Sequence, residues 1–240
     1  MASMSAAEIE ILLLSLKVAV WAVFASLPIA LALAMLLARA DFPGKTLLDG
    51  LVNLPLVLPP VVVGYLLLIL FGRNGPVGAF LEAHFGVVFA FRWTGAALAA
   101  AVMGLPLAVR AMRQAVEAVD RRLEAAAATL GAGRAWIFAT VTLPLIAPGV
   151  LNGVLLAFAR SLGEFGATMA FVGNIPGETR TLPLAIYSFM HLPGGEQAAL
   201  RLVALSIALA CAALACSHWL TRRTERRLGY GDHAQGAAVA

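Results

Sequence analysis

The chain reads as an all-α integral membrane protein of about five transmembrane helices, and three observations predict it. First, 61% of its 240 residues are hydrophobic and only 12% charged, where soluble domains hold about 45–50% apolar and about 25% charged residues. Second, apolar runs recur at lengths that match the roughly 20 residues a bilayer demands. Third, one long amphipathic and charged stretch, 117–144, interrupts those runs. The mean hydropathy of +0.90 agrees. The formal net charge of +4 does not point to nucleic acid, because the basic residues sit between and after the runs, where they orient a membrane protein.

The N-terminal segment MASMSAAEIE carries acidic rather than basic residues, and the apolar run behind it is too long for a signal-peptide core, so an uncleaved span is expected. That first span covers Ile11 to Ala38, with Lys17 near its start and Pro28 in its middle. A short basic turn, RADFPGK, follows. The second span, Leu47 to Phe71, contains Pro55, Pro59 and Pro60. Prolines break the helical ladder, which a membrane tolerates only where neighbouring protein or a water-lined cavity satisfies the freed carbonyls. This span is therefore expected to face a pathway, with Pro59 and Pro60 as candidate gate residues. Gly72 to Trp93 mixes charges with aromatics and reads as an interfacial loop anchored by Trp93. Thr94 to Val109 is the third span. Its run of glycines and alanines lets helices touch backbone to backbone, so it should be buried among the others.

The charged stretch comes next. Val116, Val119, Leu123, Ala127 and Leu130 recur at spacings of three and four, one face of a helix, while Glu117, Asp120, Arg121 and Glu124 fall elsewhere on its circumference. Gly131 and Gly133 then suit a left-handed helix end, and Pro144 and Pro148 open the next apolar run. The unit is helix, glycine turn, helix. Ala125 to Ala128 leave little side chain on part of the first helix, so a partner can approach its backbone closely.

Leu143 to Ser161 is the fourth span, with Gly149 and Gly153 as a G-x-x-x-G pair that serves packing within one subunit at least as well as a dimer contact. Residues 162–193 hold no run long enough to cross and are expected on the extracytoplasmic side. Leu200 to Leu220 is the fifth span, stopped by Arg222, Arg223, Arg226 and Arg227. Residues 1–221 thus form the membrane domain, with the charged loop at about 113–142, and 222–240 a disordered cytoplasmic tail. The turn at 39–46, the segment from Arg110 to Arg134 and the tail together hold eleven of the seventeen Lys and Arg. These segments must share the cytoplasmic side, which five spans with the N-terminus outside satisfy. Arg160 and Glu164, four residues apart near the outer end of the fourth span, are expected to pair or to face a passing anion.

No nucleophile, acid–base cluster or metal-ligand spacing is visible; Cys211, Cys216 and the four histidines are scattered, so neither catalysis nor a cofactor is expected. Inverted repeats and a proton relay, which an ATP-independent secondary transporter would carry, are also not visible. No phosphate-binding loop occurs, so energy must come from another chain. Five helices with little polar surface do not enclose a path alone, and a second copy of the chain in lipid is the simplest assembly.

Ala126, Ala127, three residues, Gly131, nine residues, then Val141-Thr142-Leu143-Pro144 resembles the EAA signature of ABC importer permeases. Two departures stand out: Ala125 occupies the glutamate position, with Glu124 one residue early, and Val141 replaces isoleucine. The resemblance implies the type I importer permease fold, with this loop as the cytoplasmic coupling helix seated in a cleft of the ATPase subunit. Leu123, Glu124, Ala126, Ala127, Leu130, Gly131, Leu143 and Pro144 are then the coupling residues. The stretches FPGK (Phe42 to Lys45), LPLVLPPVVVGYLLL (Leu54 to Leu68) and AFARSLGEFGATMAFVGNIPGETRTLP (Ala157 to Pro183) are similar to molybdate ABC transporter permeases. That implies two permeases and two ATPase subunits in the bacterial inner membrane, fed by a periplasmic oxyanion-binding protein and importing molybdate and often tungstate. Sulfate permeases are similar around Ser161 to Glu164, but NIPGETRTLP favours the molybdate branch.

Overall fold

The computed structural model describes residues 5 to 227, the side chains of 217, 218 and 220 to 227 excepted. Helix α1 (Ala6–Arg39) begins with a capping box: Ser5 Oγ accepts from Glu8 N at 3.2 Å, and Ser5 N donates to Glu8 Oε2 at 2.8 Å. Glu8 also pairs with Arg201 Nε at 2.7 Å, which brings the start of the last helix, α11 (Glu196–Arg227), to the same end of the bundle.

At the centre stands α5 (Trp93–Ala118). Of its most apolar stretch 72% is buried, against 28% for α1 and 11% for α11. The small-residue run explains this, since Ala96, Ala99 and Ala100 present no side chain beyond Cβ and neighbouring helices close upon them. Across from α5 lies α8 (Leu143–Leu162). A Cβ on Gly153 would meet the Ala108 carbonyl at 3.0 Å, and one on Gly149 would collide with Ala115. The G-x-x-x-G pair therefore packs α8 on α5 within one subunit.

Between α1 and α5 the chain forms α2 (Lys45–Val57) and α3 (Pro60–Phe71), bent by 114° at Leu58–Pro59. Val52 of α2 packs with Ala34, Leu37, Val109 and Met112, at the basic end of the bundle. Val63 and Leu67 of α3 pack with Leu14, Val18, Ala96 and Phe171, at the opposite end. The pair is thus one broken span, and with α1, α5, α8 and α11 it makes five among the described residues.

Four expectations need correction. Residues 72–93 are not all loop: α4 (Pro76–Phe85) opens on a proline, whose missing N–H costs nothing there, and closes on Gly86 at φ 64°. The amphipathic helix is not continuous from Val116 to Leu130. Instead α5 ends at Ala118, and Asp120 caps a separate helix, α6 (Arg121–Thr129), by accepting from Arg122 N at 2.9 Å. A short polar side chain that bonds its own backbone is what stops the longer helix. The fourth span starts earlier than Leu143, because α7 (Arg134–Ile137) runs through a π-turn (Phe138–Thr142) into α8. Pro144 cannot donate to the Thr140 carbonyl, and the ladder re-registers there. Finally, α11 continues to Arg227, past the expected tail boundary at 222. The rest of that tail, and the side chains of its arginines, lie outside the described residues.

Residues 162–193 form α9 (Gly166–Val172) and α10 (Leu182–Met190), both too short to cross. They dip into the bundle. Ala167, Phe171 and Val172 are fully buried, and Leu182 and Ala185 pack with Ile11 and Leu202.

Candidate coupling surface and candidate pathway

At the basic end, α6 buries none of its residues. Leu123 is 49% and Leu130 88% exposed, and Ala125, Ala126 and Ala128 are exposed beside them. Leu143 and Pro144 are exposed too. Val116 and Val119, expected on the same face, are buried instead against Ile146. What remains is an exposed apolar strip with bare backbone, ended by Gly131 at φ 84°. Nothing lies within 4 Å of a Cβ built at Gly131, so glycine is needed there for its conformation and not for space.

Glu124 behaves differently from its neighbours. Its Oε1 accepts from Arg39 Nη2 at 3.0 Å, at the end of α1, and from Thr142 Oγ1 at 2.7 Å, at the end of the π-turn. These partners lie 85 and 18 residues away in sequence, and no local pattern signals either. In the turn beside Arg39, the Lys45 ammonium at 2.9 Å holds the Asp41 carboxyl below the usual carboxylate range by hydrogen bond and charge. Asp41 is 97% exposed, so that pair adds little stability. A further polar cluster was not expected from sequence. Arg113 bridges Asp49 at 3.3 Å and Glu117 at 2.7 Å, beside a crevice of about 100 Å³ that Asn53 and Arg110 also line.

The candidate pathway residues lie toward the other end. Glu164 is not on the α8 face with Arg160, because α8 stops at Leu162 and Glu164 occupies the turn before α9. The two still meet: Arg160 Nη1 lies 2.6 Å from Glu164 Oε2, an ion-pair contact without the alignment of a full hydrogen bond. The other oxygen accepts from Ala167 N at 2.8 Å. Glu164 thus sits at the positive end of α9 and Arg160 in the last turn of α8, where each helix dipole favours that charge. The Glu164 side chain is 2% exposed and that of Arg160 26%.

Pro59 and Pro60 come to the same place. A Cβ on Gly166 would stand 2.8 Å from Pro60 Cβ, and Gly64 lies directly on the backbone of Ala167. Two interrupted helices therefore abut at their interruptions, the α2–α3 break against the α8–α9 turn. Glu164 of the charged pair is two residues from that contact. Such an arrangement can let the broken ends shift against one another while a partly exposed guanidinium faces an anion.

The chain is 59% identical over 222 residues, covering 92% of this chain and 97% of the relative, to the molybdenum transport system permease protein ModB of Escherichia coli (strain K12). It is 53% identical over 227 residues, 95% of this chain and 99% of the relative, to the protein of the same name from Haemophilus influenzae. Similarity to the sulfate transport system permease protein CysT of Salmonella typhimurium is 43% over 157 residues, 65% of this chain and 56% of the relative. Among solved structures, a bacterial ABC transporter that imports the acidic polysaccharide alginate superposes with a TM-score of 0.73 at 16% identity, covering 92% of this chain and 80% of that one. The MetNI methionine ABC transporter, inward facing, gives 0.70 at 16% identity, covering 92% and 99%. These two likenesses show the fold. Residues 26–229 match the family described as binding-protein-dependent transport system inner membrane component. The chain belongs to that family of transport-system inner membrane components.

Proposed function

We propose that this chain is the membrane-spanning permease subunit of an ATP-driven importer for molybdate, and for tungstate, whose tetrahedral dianion has the same charge. One observation carries the reading: 59% identity to a molybdenum permease across 97% of that relative, whereas similarity to the sulfate permease covers 56% of its counterpart. Two copies of the chain in the inner membrane form the path. A separate ATPase supplies energy, and a periplasmic oxyanion-binding protein delivers the substrate. The N-terminus lies outside and the C-terminus in the cytoplasm, as the basic segments require.

In this reading the strip of Leu123, Ala126, Ala127 and Leu130, closed by Gly131, seats in the ATPase, and Leu143 and Pro144 follow it within the span that α7 begins. ATP binding draws the two ATPase subunits together and carries the α6 helices with them, so that the path opens toward the loaded binding protein; hydrolysis returns it toward the cytoplasm. At the abutting breaks, Pro59 and Pro60 act as a gate. Arg160 offers the oxyanion a transient counter-charge, and Glu164 keeps that charge from becoming a trap. Substrate choice rests mainly on the binding protein. The test is uptake of labelled molybdate, tungstate and sulfate in cells lacking their own molybdate permease and expressing this chain with its ATPase and binding protein. Molybdate uptake that tungstate competes and sulfate does not is expected. Uptake of sulfate alone would replace the reading with a sulfate permease.

A further inference from the structure

We propose that Glu124 does not contact the ATPase but latches the coupling helix to the spans. This rests on the functional reading above and deepens it. Among the described residues, Glu124 is the one α6 side chain that hydrogen-bonds the membrane bundle, and it does so twice through one oxygen. Its partners terminate different elements: Arg39 is the last residue of α1, and Thr142 the last of the π-turn that leads into α8. α6 otherwise buries nothing, so its apolar strip faces outward while this carboxylate alone points back.

The partners are also committed to the carboxylate. Thr142 is 2% exposed, and the Arg39 side chain, 18% exposed, makes its one hydrogen bond among the described residues to Glu124, through Nη2. A movement imposed on α6 thus reaches α1 through Arg39 and α8 through Thr142 by charge-assisted hydrogen bonds, about twice as strong as neutral ones. Thr142 ends a π-turn, a helix irregularity found frequently at functional sites. The one-residue displacement of this glutamate from the EAA position has a structural counterpart: at 124 its side chain reaches the bundle.

The test uses the full complex of permease, ATPase and binding protein in proteoliposomes, comparing Glu124→Ala, Thr142→Val and Thr142→Ser. The expected result is that Glu124→Ala co-purifies with the ATPase and hydrolyses ATP, but oxyanion uptake per ATP falls at least about tenfold, the shift that loss of even one of its two charged hydrogen bonds brings. Thr142→Val, which keeps shape and lies inside the permease, should lower the same ratio, and Thr142→Ser should restore it. A purely structural role would lower yield and leave the ratio alone. Detachment of the ATPase by Glu124→Ala with a normal ratio in Thr142→Val would overturn the latch and make Glu124 a docking residue. A second readout needs no transport: spin labels at Leu36 and Ala128 should give one narrow distance in the wild-type permease and a broad distribution in Glu124→Ala. An equally narrow distance in both overturns the latch. Failure of wild-type uptake alone, with that contrast intact, overturns the functional reading instead.

Discussion

Arg160 and Glu164 are the residues on which structure and chemistry pull hardest against each other. A charge at a helix centre in a bilayer costs about 2.5–3.5 kcal/mol on insertion scales, so the pair must satisfy itself or serve something. Glu164 accepts one hydrogen bond, from Ala167 N, and meets Arg160 in an ion-pair contact that leaves its other oxygen without a full hydrogen bond. Because it caps α9, replacing it with leucine would remove the cap as well as the charge. Glu164→Gln keeps an oxygen for Ala167 N, and the informative variant is therefore Arg160→Leu with Glu164→Gln. A pathway role predicts an assembled complex that hydrolyses ATP and transports poorly; full uptake would leave only a structural pair. Gly131 makes a separate prediction. At φ 84°, Gly131→Val is expected to cost about 1–2 kcal/mol of local stability, and to weaken ATPase attachment while the permease stays in the membrane. Leu123→Asp should weaken attachment by desolvation instead. Co-purification of the ATPase in normal amount with both variants would remove α6 as the docking helix.

At the scale of elements, the spans were legible because lipid imposes a length and a composition that neighbouring chain cannot imitate. Each of the five expected runs overlaps a helix or the bent pair. What was missed has physical causes. α4 is ten residues long and apolar on no consistent face, so periodicity is silent, although Pro76 and Gly86 mark its ends. The break at Val119–Asp120 was hidden because the apolar spacing of three and four continues across it; the Asp120 cap outweighs that pattern locally. The meeting of Pro60 with Gly166, and of Glu124 with Arg39 and Thr142, is tertiary and leaves no trace in either stretch alone. The glycine packing is testable at this scale. Gly149→Leu would overpack the α5–α8 contact at Ala115, a class of change that costs about 1–3 kcal/mol, and should lower the melting temperature of the purified permease. An unchanged melting temperature would mean that the two helices do not pack there.

Across the whole molecule, the topology follows from where the breaks and charges lie. His191 and Gly133 are exposed at opposite ends. With exposed Cys211 and Cys216 first replaced by serine, His191→Cys should react only with reagent outside the cell and Gly133→Cys only after the membrane is opened. Reaction of both from one side would mean an even number of crossings between them and would remove the five-span reading. In the proposed function these spans carry an oxyanion only when a separate ATPase turns over. The most direct measurement is molybdate accumulation in sealed proteoliposomes containing permease and ATPase, with loaded binding protein on one side and ATP on the other. Accumulation against a gradient that stops when ATP or the binding protein is withheld is predicted. Accumulation that persists without ATP would contradict it.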